Sequence, residues 1–473
     1  MTKKTHVNSF LFKHNNKKYY TTVGITIGVI ILVIAIIGIF VPTDATMKLP
    51  GEPTRSIWPG YVNADGSIGP RQIFDPDVNR PGNPDNSLMV FALQMMLMLV
   101  LGHSLALSEP VSNIISKITI YCNNTANAAA IVTFTTLLVA FFNWGLGLIF
   151  GAIFTRKVGE HATKNNIPLN YPLVGAAGYS GLMIWHGGIS GSAPIKIAEN
   201  NHFLADKIGT ISQAETIFSA MNVTISISLL LLLPLLMFFL AKKTKSKLVN
   251  ITEIEKVKKL KIYGAEKIDH SNFIAYIFGG IIIIYCYYKA ILIPDKITLN
   301  FITPNFINLS LLGLCILLHK NFFQFIRSVD SAIKGASGIL IQFPLYFGIM
   351  GIMKDTGMIE LMSDFFISIS NENTFPIYTF FSAGLVNIFV PSGGGQWAIQ
   401  GPIIVEAAMK LGVSIPKSVM SLAYGDQLTN MLQPFWALPL LGITGLKAKE
   451  ILPYTLLLML LGGVIFIGGL LIF

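Results

Sequence analysis

Long apolar stretches separated by short polar ones run along most of this 473-residue chain. A helix rises 1.5 Å per residue, so about 20 apolar residues cross the roughly 30 Å hydrocarbon layer of a membrane. The first long run, 22–41, is too long for the apolar core of a signal peptide and predicts a retained anchor. In all, the pattern predicts about nine full spans, at 22–41, 87–108, 172–194, 216–240, 271–291, 301–319, 336–354, 420–442 and 451–472.

Two further apolar stretches, 126–158 and 374–409, are each interrupted near the middle. The first contains NWGLG at 143–147 and the second contains PSGGG at 391–395. Glycine and proline interrupt the hydrogen-bond ladder of a helix, and each stretch is too long for a single span. We therefore predict two re-entrant hairpins whose tips end inside the membrane, where protein or water must satisfy the irregular backbone. The alternative is that both stretches are ordinary spans, which would change the topology.

The composition supports a polytopic, all-α membrane protein that lies in a lipid bilayer. Charged residues make up 12% of the chain, about half the share of a soluble protein. The net charge of +10 comes from two short segments, because residues 1–20 hold five lysines and no acid and residues 242–270 hold nine lysines and four acids. Such segments do not form a patch that follows phosphates. The composition thus excludes a disordered chain, a nucleic-acid-binding protein and an ordinary cytosolic enzyme.

The placement of lysine and arginine predicts that the N-terminus is cytoplasmic, because short cytoplasmic loops carry an excess of these residues. If both hairpins return to the side from which they came, most of the basic residues lie on the cytoplasmic side. In this topology the elements that begin at residue 87 start outside, and those that begin at residue 336 start inside. The two units are then inverted.

The same elements recur in the same order in both units. Gly145 and Gly147 of the first hairpin align with Gly393 and Gly395 of the second. A discontinuous helix follows in each unit, YSGLMIWHGGISGSAP in the first and YGDQLTNMLQPFWALP in the second. Paired segments of this kind indicate the binding site of a secondary transporter. The predicted divisions are 1–41 (tail and first span), 42–86 (extracytoplasmic loop), 87–241 (first repeat), 242–270 (basic cytoplasmic linker), 271–335 (connecting spans) and 336–473 (second, inverted repeat).

The interrupted segments suit the binding of a small carboxylate. An isolated charge is prohibitive inside a membrane, so donors must replace its water. Glycine-rich tips and helix N-termini offer peptide N–H groups and a favourable dipole. None of these segments contains lysine or arginine, which fits a monocarboxylate that must also be released. The candidate substrate- and ion-binding residues are Asn143, Gly145, Gly147, His186, Gly187, Gly188, Ser190, Ser192, Ser392, Gly393, Gly394, Gly395, Gln396, Asp426, Gln427, Asn430 and Gln433.

Two of these candidates can titrate. Asp426 is a carboxylate in an apolar span, which by default indicates function, although it could instead be solvated near the end of the span. Carbonyls freed at the breaks could hold Na⁺ beside it; no other metal site and no cofactor is predicted. His186 could relay a proton or serve as a packing residue. Trp185, Trp397 and Trp436 could line a pocket for a short alkyl chain or simply pack.

Several strings resemble those of the bacterial short-chain fatty acid transporter family: VPSGGGQWAIQGP (390–402), AYGDQLTNMLQPFWALP (423–439), FNWGLGLIFGAIF (142–154) and SGSAP (190–194). The resemblance implies carriage of short-chain fatty acids, including acetoacetate and butyrate, across the bacterial inner membrane. It also implies inverted repeats, re-entrant hairpins and elevator-type movement, commonly in a homodimer. By the same resemblance, Ser392, Gly393, Gly394 and Gly395 form the tip of the second hairpin, and Asn143 and Gly145 lie at the tip of the first.

These observations predict a secondary active transporter, a symporter of small monocarboxylates coupled to H⁺ or Na⁺. The alternatives are a transporter of another small organic anion on the same fold and a passive anion channel. An enzyme is not expected, because the chain has no HExxH, GxSxG or Cys/His cluster. It also has no GxxxxGK[ST] loop that would indicate ATP drive.

Overall fold

The computed structural model describes residues 61–62, 68–69, 84–251, 264, 266–294, 299 and 301–473. The predicted first span at 22–41, most of the 42–86 loop and part of the basic linker lie outside these residues. Within the loop, strand β1 (Tyr61–Val62) pairs antiparallel with strand β2 (Ile68–Gly69). The site described below lies entirely within the compact unit Phe91–Phe473.

Helices account for most of the chain from residue 84 onward. In the first half they are α1 (Pro84–Ala106), α2 (Glu109–Thr119), α3 (Thr125–Phe142), α4 (Trp144–Lys164), α5 (Tyr171–Tyr179), α6 (Ser192–Lys196), α7 (Ala205–Ile208) and α8 (Ala220–Lys243). In the second half they are α9 (Glu266–Asp269), α10 (Asn272–Tyr287), α11 (Pro304–His319), α12 (Phe322–Ala332), α13 (Ser337–Asp355), α14 (Met358–Ile369), α15 (Phe375–Asn387), α16 (Gly393–Leu411), α17 (Ile415–Thr429), α18 (Pro434–Thr444) and α19 (Ala448–Ile472).

Six helical segments of the described chain are long and apolar enough to cross a membrane. They are Met89–Ala106, Thr125–Phe142, Ala220–Lys243, Asn272–Leu292, Phe322–Ile349 and Ala448–Ile472. The predicted all-helical membrane class is thereby confirmed, but the described residues contain six such segments where eight of the nine predicted spans lie. On α8, Ile227, Leu231, Leu235 and Phe239 are exposed at helical spacing, as expected of a face in contact with lipid. The predicted span 301–319 is shorter than expected, because α11 begins only at Pro304, where the Thr303 hydroxyl accepts the N–H of Phe306.

The stretch 126–158 is interrupted at a single residue. Asn143 ends α3 in an extended conformation and also caps α4, because its side-chain oxygen accepts the N–H of Leu146. The two arms pack closely near this break, where a Cβ on Gly147 would lie 2.5 Å from Ala140. Gly145 and Gly147, expected near an unwound tip, are therefore inside the first turn of a helix. Their small size serves packing and not an irregular backbone.

The stretch 374–409 has a longer interruption. Helix α15 ends at Asn387 and α16 begins at Gly393. Pro391 lacks the N–H that a continuous helix would need, and Ser392 caps the new helix by accepting the N–H of Gly395 at 3.3 Å. The three glycines of PSGGG thus form the first turn of α16.

The expected breaks at 172–194 and 420–442 are both present. The first consists of two 3₁₀ turns, Ser180–Met183 and Trp185–Gly187, between α5 and α6. A Cβ on Gly188 would lie 2.4 Å from the carbonyl oxygen of Phe141, so only glycine fits where the break meets the end of α3. The second is the 3₁₀ turn Asn430–Leu432 between α17 and α18.

Candidate functional site

A small cavity lies where elements of both halves of the chain meet. Its lining residues are Met95, Trp144, Trp185, His186, Ser192, Ile339, Phe343, Ser392, Gly393, Gly394 and Trp436. The space open to the centre of a water molecule measures about 20 Å³, which is room for about one water. A four-carbon acid therefore fits only if the walls separate.

The N-terminus of α16 forms one wall of the cavity. Ser392, Gly393 and Gly394 line it, and the first N–H groups of a helix have no acceptor within that helix. These donors and the positive end of the helix dipole favour an anion. The short α6 begins on the same cavity at Ser192, which adds a hydroxyl group.

Three tryptophans form the apolar wall. The rings of Trp144, Trp185 and Trp436 meet edge-on, with centroid separations of 5.7, 5.8 and 4.9 Å. All three indole N–H groups are buried and have no acceptor in the described structure. The wall therefore combines a large apolar surface with unused donors. Trp397, the other expected wall residue, instead packs near Phe203 at 6.1 Å and is absent from the lining.

His186 and Asp426 face each other beside the cavity. The imidazole Nε2 lies 3.4 Å from Asp426 Oδ2, and both side chains are buried. Neither imidazole nitrogen has a hydrogen-bond partner among the described residues, and the same is true of Oδ2. The other carboxylate oxygen accepts the amide of Asn430 at 3.1 Å. Asp426 is thus buried rather than solvated at the end of a span.

Gln427 ties the second half of the chain to the first break. Its side-chain oxygen accepts the peptide N–H groups of His186 at 2.9 Å and Gly187 at 3.1 Å. These donors belong to a 3₁₀ turn, where the regular helical acceptors are missing. The side chain of Gln427 therefore satisfies the irregular backbone that carries His186.

Two tyrosines make similar ties in opposite directions. The hydroxyl of Tyr179, at the end of α5, lies 2.8 Å from the carbonyl oxygen of Asn430 and 2.9 Å from that of Gln433, both at the second break. The hydroxyl of Tyr424, in α17, donates to the side chain of Asn222 at 2.9 Å. The Asn222 amide in turn donates to the carbonyl of Gly187 at the first break.

The remaining candidates support these segments from outside the cavity. Ser190 Oγ accepts the N–H of Trp144 at 2.9 Å, and a Cβ on Gly145 would meet the backbone of Leu99. The Gln396 amide donates to the carbonyl of Ala383. Of the expected residues, those absent from the cavity lining are Asn143, Gly145, Gly147, Gly187, Gly188, Ser190, Gly395, Gln396, Asp426, Gln427, Asn430 and Gln433.

Four lining residues are absent from the expected set: Met95, Trp144, Ile339 and Phe343. Trp144 lies inside the NWGLG string that marks the first interruption, which was a usable signal. Ile339 and Phe343 are four residues apart and share one face of α13. Nothing in the local sequence distinguishes Met95 from the neighbouring methionines.

Comparison with known proteins assigns the family. The family model described as "Short chain fatty acid transporter" matches residues 73–473. This chain belongs to the short-chain fatty acid transporter family. It is therefore a membrane transporter and not an enzyme. Two relatives, each 36% identical, are named "Putative short-chain fatty acid transporter": one from Escherichia coli, matched over 82% of this chain and 88% of its own, and one from Haemophilus influenzae, matched over 83% and 89%.

A solved structure shares the fold of this family member. The YdaH transporter of Alcanivorax borkumensis superimposes with a TM-score of 0.51 over 95% of this chain and 98% of its own. The sequences are 16% identical, so the likeness concerns the fold alone.

Proposed function

We propose that this protein is a symporter that carries short-chain fatty acids, such as butyrate and acetoacetate, together with H⁺. The observation that carries the proposal is the small cavity at the N-terminus of α16, bounded by tryptophans and placed beside the His186–Asp426 pair. Membership of the short-chain fatty acid transporter family supports the same substrate class.

The substrate is held by neutral donors and an apolar wall. In this proposal, the carboxylate binds the first N–H groups of α16 together with the hydroxyls of Ser192 and Ser392. The alkyl chain lies against the tryptophan rings, where each buried methylene adds about 0.8 kcal/mol. The cavity lining contains no lysine or arginine, so the carboxylate can be released as well as bound.

The coupling ion binds at the His186–Asp426 pair. We favour H⁺ because two titratable groups lie 3.4 Å apart and the facing atoms have no other partner among the described residues. A proton on either side chain would let them share a hydrogen bond and would reduce the buried negative charge next to an arriving carboxylate. The alternative is that Na⁺ is the coupling ion, bound by Asp426 and nearby carbonyls. The assay must distinguish this alternative from coupling to H⁺.

In this proposal the chain contains two inverted units, 87–241 and 336–473, each with one re-entrant hairpin. Transport occurs by an elevator-type movement. The hydrogen bonds of Tyr179 and Tyr424 support this reading. Tyr179 bonds the second break directly, and Tyr424 bonds Asn222, which in turn bonds Gly187 at the first break. We further propose a homodimer in the bacterial inner membrane with a cytoplasmic N-terminus. Cysteine labelling from each side of the membrane and cross-linking would test these two points.

The deciding experiment is uptake of labelled butyrate and acetoacetate into proteoliposomes, with pH and Na⁺ gradients imposed independently. Undissociated short-chain acids also diffuse through lipid, so the measured quantity is the saturable initial rate above that of protein-free vesicles. We expect this rate to rise with an inward H⁺ gradient and to be independent of the Na⁺ gradient. A rate that follows Na⁺ alone would assign Na⁺ as the coupling ion. Absence of protein-dependent uptake for every acid of up to about six carbons would refute the substrate class.

A further inference from the structure

An ion pair of a buried lysine and a partly exposed glutamate lies near the cavity but outside its lining. Lys196 is only 1% exposed, and its ammonium donates to Glu199 Oε2 at 2.5 Å. Lys196 ends α6, the one-turn helix whose first residue, Ser192, lines the cavity. The segments considered from the sequence stop at residue 194, so this cation was not among the expected site residues.

One aromatic ring separates the ammonium from the cavity. Lys196 Nζ lies 5.2 Å from the ring centroid of Phe91. The same ring packs edge-on against Phe343, at 6.0 Å between centroids, and its tip lies 3.0 Å from the Cβ position of Gly394. Phe343 and Gly394 both line the cavity. Movement of the Phe91 ring would therefore bring the cavity and the ammonium together.

The side chain of Gln94 holds the other oxygen of Glu199. Its amide nitrogen donates to Glu199 Oε1 at 2.7 Å and to Asn305 Oδ1 at 3.0 Å, while its own side-chain oxygen is buried and has no donor among the described residues. A buried ion pair contributes little net stability, because desolvation offsets the attraction. A neutral pair would fill this position at least as well, so stability alone does not account for the two charges.

We propose that Lys196 is a second carboxylate-binding position on the transport path, at which the substrate carboxylate replaces Glu199 when the Phe91 ring moves aside. The proposal rests on the proposed function and extends it. One carboxylate takes the place of another, so the ammonium stays paired throughout. Glu199 keeps the donor from Gln94 while it is displaced, and its return to Lys196 helps release the substrate.

The test compares variants in butyrate exchange across proteoliposomes, with unlabelled butyrate and butyramide as competitors. Lys196→Gln should weaken competition by butyrate roughly tenfold or more, because a hydrogen bond to a charged group is lost. Competition by uncharged butyramide should be unchanged. Lys196→Arg should retain butyrate binding. Glu199→Gln should instead strengthen butyrate binding and slow turnover, since the competing carboxylate is gone.

Two further variants keep the test interpretable. Lys196→Gln leaves the partly buried Glu199 without its cation and could destabilise the protein. The double variant Lys196→Gln/Glu199→Gln removes both charges and should also bind butyrate weakly. Lys207→Gln is the matched control, because it removes a lysine from the same connecting segment. The ion pair of Lys207 with Glu406 is largely exposed, so it contributes little to stability.

The outcomes separate the two proposals. If the unmodified protein exchanges no carboxylate, the proposed function fails and the assignment of Lys196 fails with it. If the unmodified protein exchanges butyrate and the double variant competes equally well, the assignment of Lys196 alone is overturned. Equal weakening by Lys196→Gln and Glu199→Gln would also overturn it, because a purely structural ion pair predicts that result.

Discussion

Gly393→Ala would insert a methyl group into the contact between His186 and Asp426. The added Cβ would lie 2.5 Å from His186 Cε1, 2.7 Å from His186 Nε2 and 2.7 Å from Asp426 Oδ2. The two facing atoms are themselves 3.4 Å apart. No position of this methyl group satisfies all three contacts, because nonbonded carbon contacts prefer about 3.5–4.0 Å. One of the two side chains must therefore move.

The size of the effect follows from the cost of overpacking. An extra methyl group in a well-packed interior costs about 1–3 kcal/mol. If the strain falls on the conformation that pairs His186 with Asp426, the population of that conformation falls roughly 5- to 150-fold, since each 1.4 kcal/mol is a factor of ten. We expect coupled butyrate uptake to fall by a factor in this range.

The assay is the protein-dependent initial rate of butyrate uptake under an H⁺ gradient, together with the thermal midpoint of the purified protein. Gly348→Ala is the matched control, because no heavy atom lies within 4 Å of its Cβ position and alanine suits a helix interior. Gly394→Ala should have an intermediate effect, because its nearest atoms are phenylalanine ring edges at 3.0 Å that can tilt. Uptake by Gly393→Ala within twofold of the unmodified protein, at an unchanged midpoint, would refute the reasoning.

Three further predictions test other parts of the site and its surroundings. Ser392→Ala removes the cap on Gly395 N–H, so we expect a stability loss of about 0.5–2 kcal/mol and a higher KM for butyrate; an unchanged thermal midpoint would contradict the role as a cap. Asp426→Asn should abolish the pH dependence of uptake while substrate exchange persists, and unaltered pH dependence would indicate a structural role. Burial lowers the pKa of His202, in the segment after α6, below its ordinary 6.5. The folded state therefore binds fewer protons than the unfolded state near this pH. The contribution of neutral His202 to stability is complete above pH 6.5 and should decline as the pH falls below that value. The protection factor of the Leu204 amide, which donates to His202 Nδ1, should then fall as the pH is lowered, and a constant protection factor would count against this prediction.

The long helices were predictable because their determinants are local. Length and continuous hydrophobicity decide whether a segment can cross a membrane, and α8 and α19 match the expected spans within a few residues. The interruptions were also predictable, since PSGGG and NWGLG contain residues that end or cap helices. Their internal geometry was not: Asn143 alone breaks the first stretch, because its side chain replaces the missing helical acceptor for Leu146.

Glycine shows why the site itself was only partly predictable. Gly147 and Gly395 occupy corresponding positions in the proposed repeats, but the first packs against Ala140 and the second against the ring of Tyr346. A glycine in the sequence indicates that there is little space at its Cβ position, but it does not indicate which residue occupies that space. The same limit applies to Lys196, whose burial depends on Phe91, more than 100 residues earlier in the sequence.

The breaks are therefore properties of two segments together. Inside a membrane an irregular turn persists only where another part of the protein satisfies its peptide groups. At the first break this partner is the side chain of Gln427, and at the second it is the hydroxyl of Tyr179. Each partner lies next to the break that it does not serve. Separating the two breaks would leave peptide groups of both without partners, so a transport movement that keeps these bonds must carry both breaks as one body.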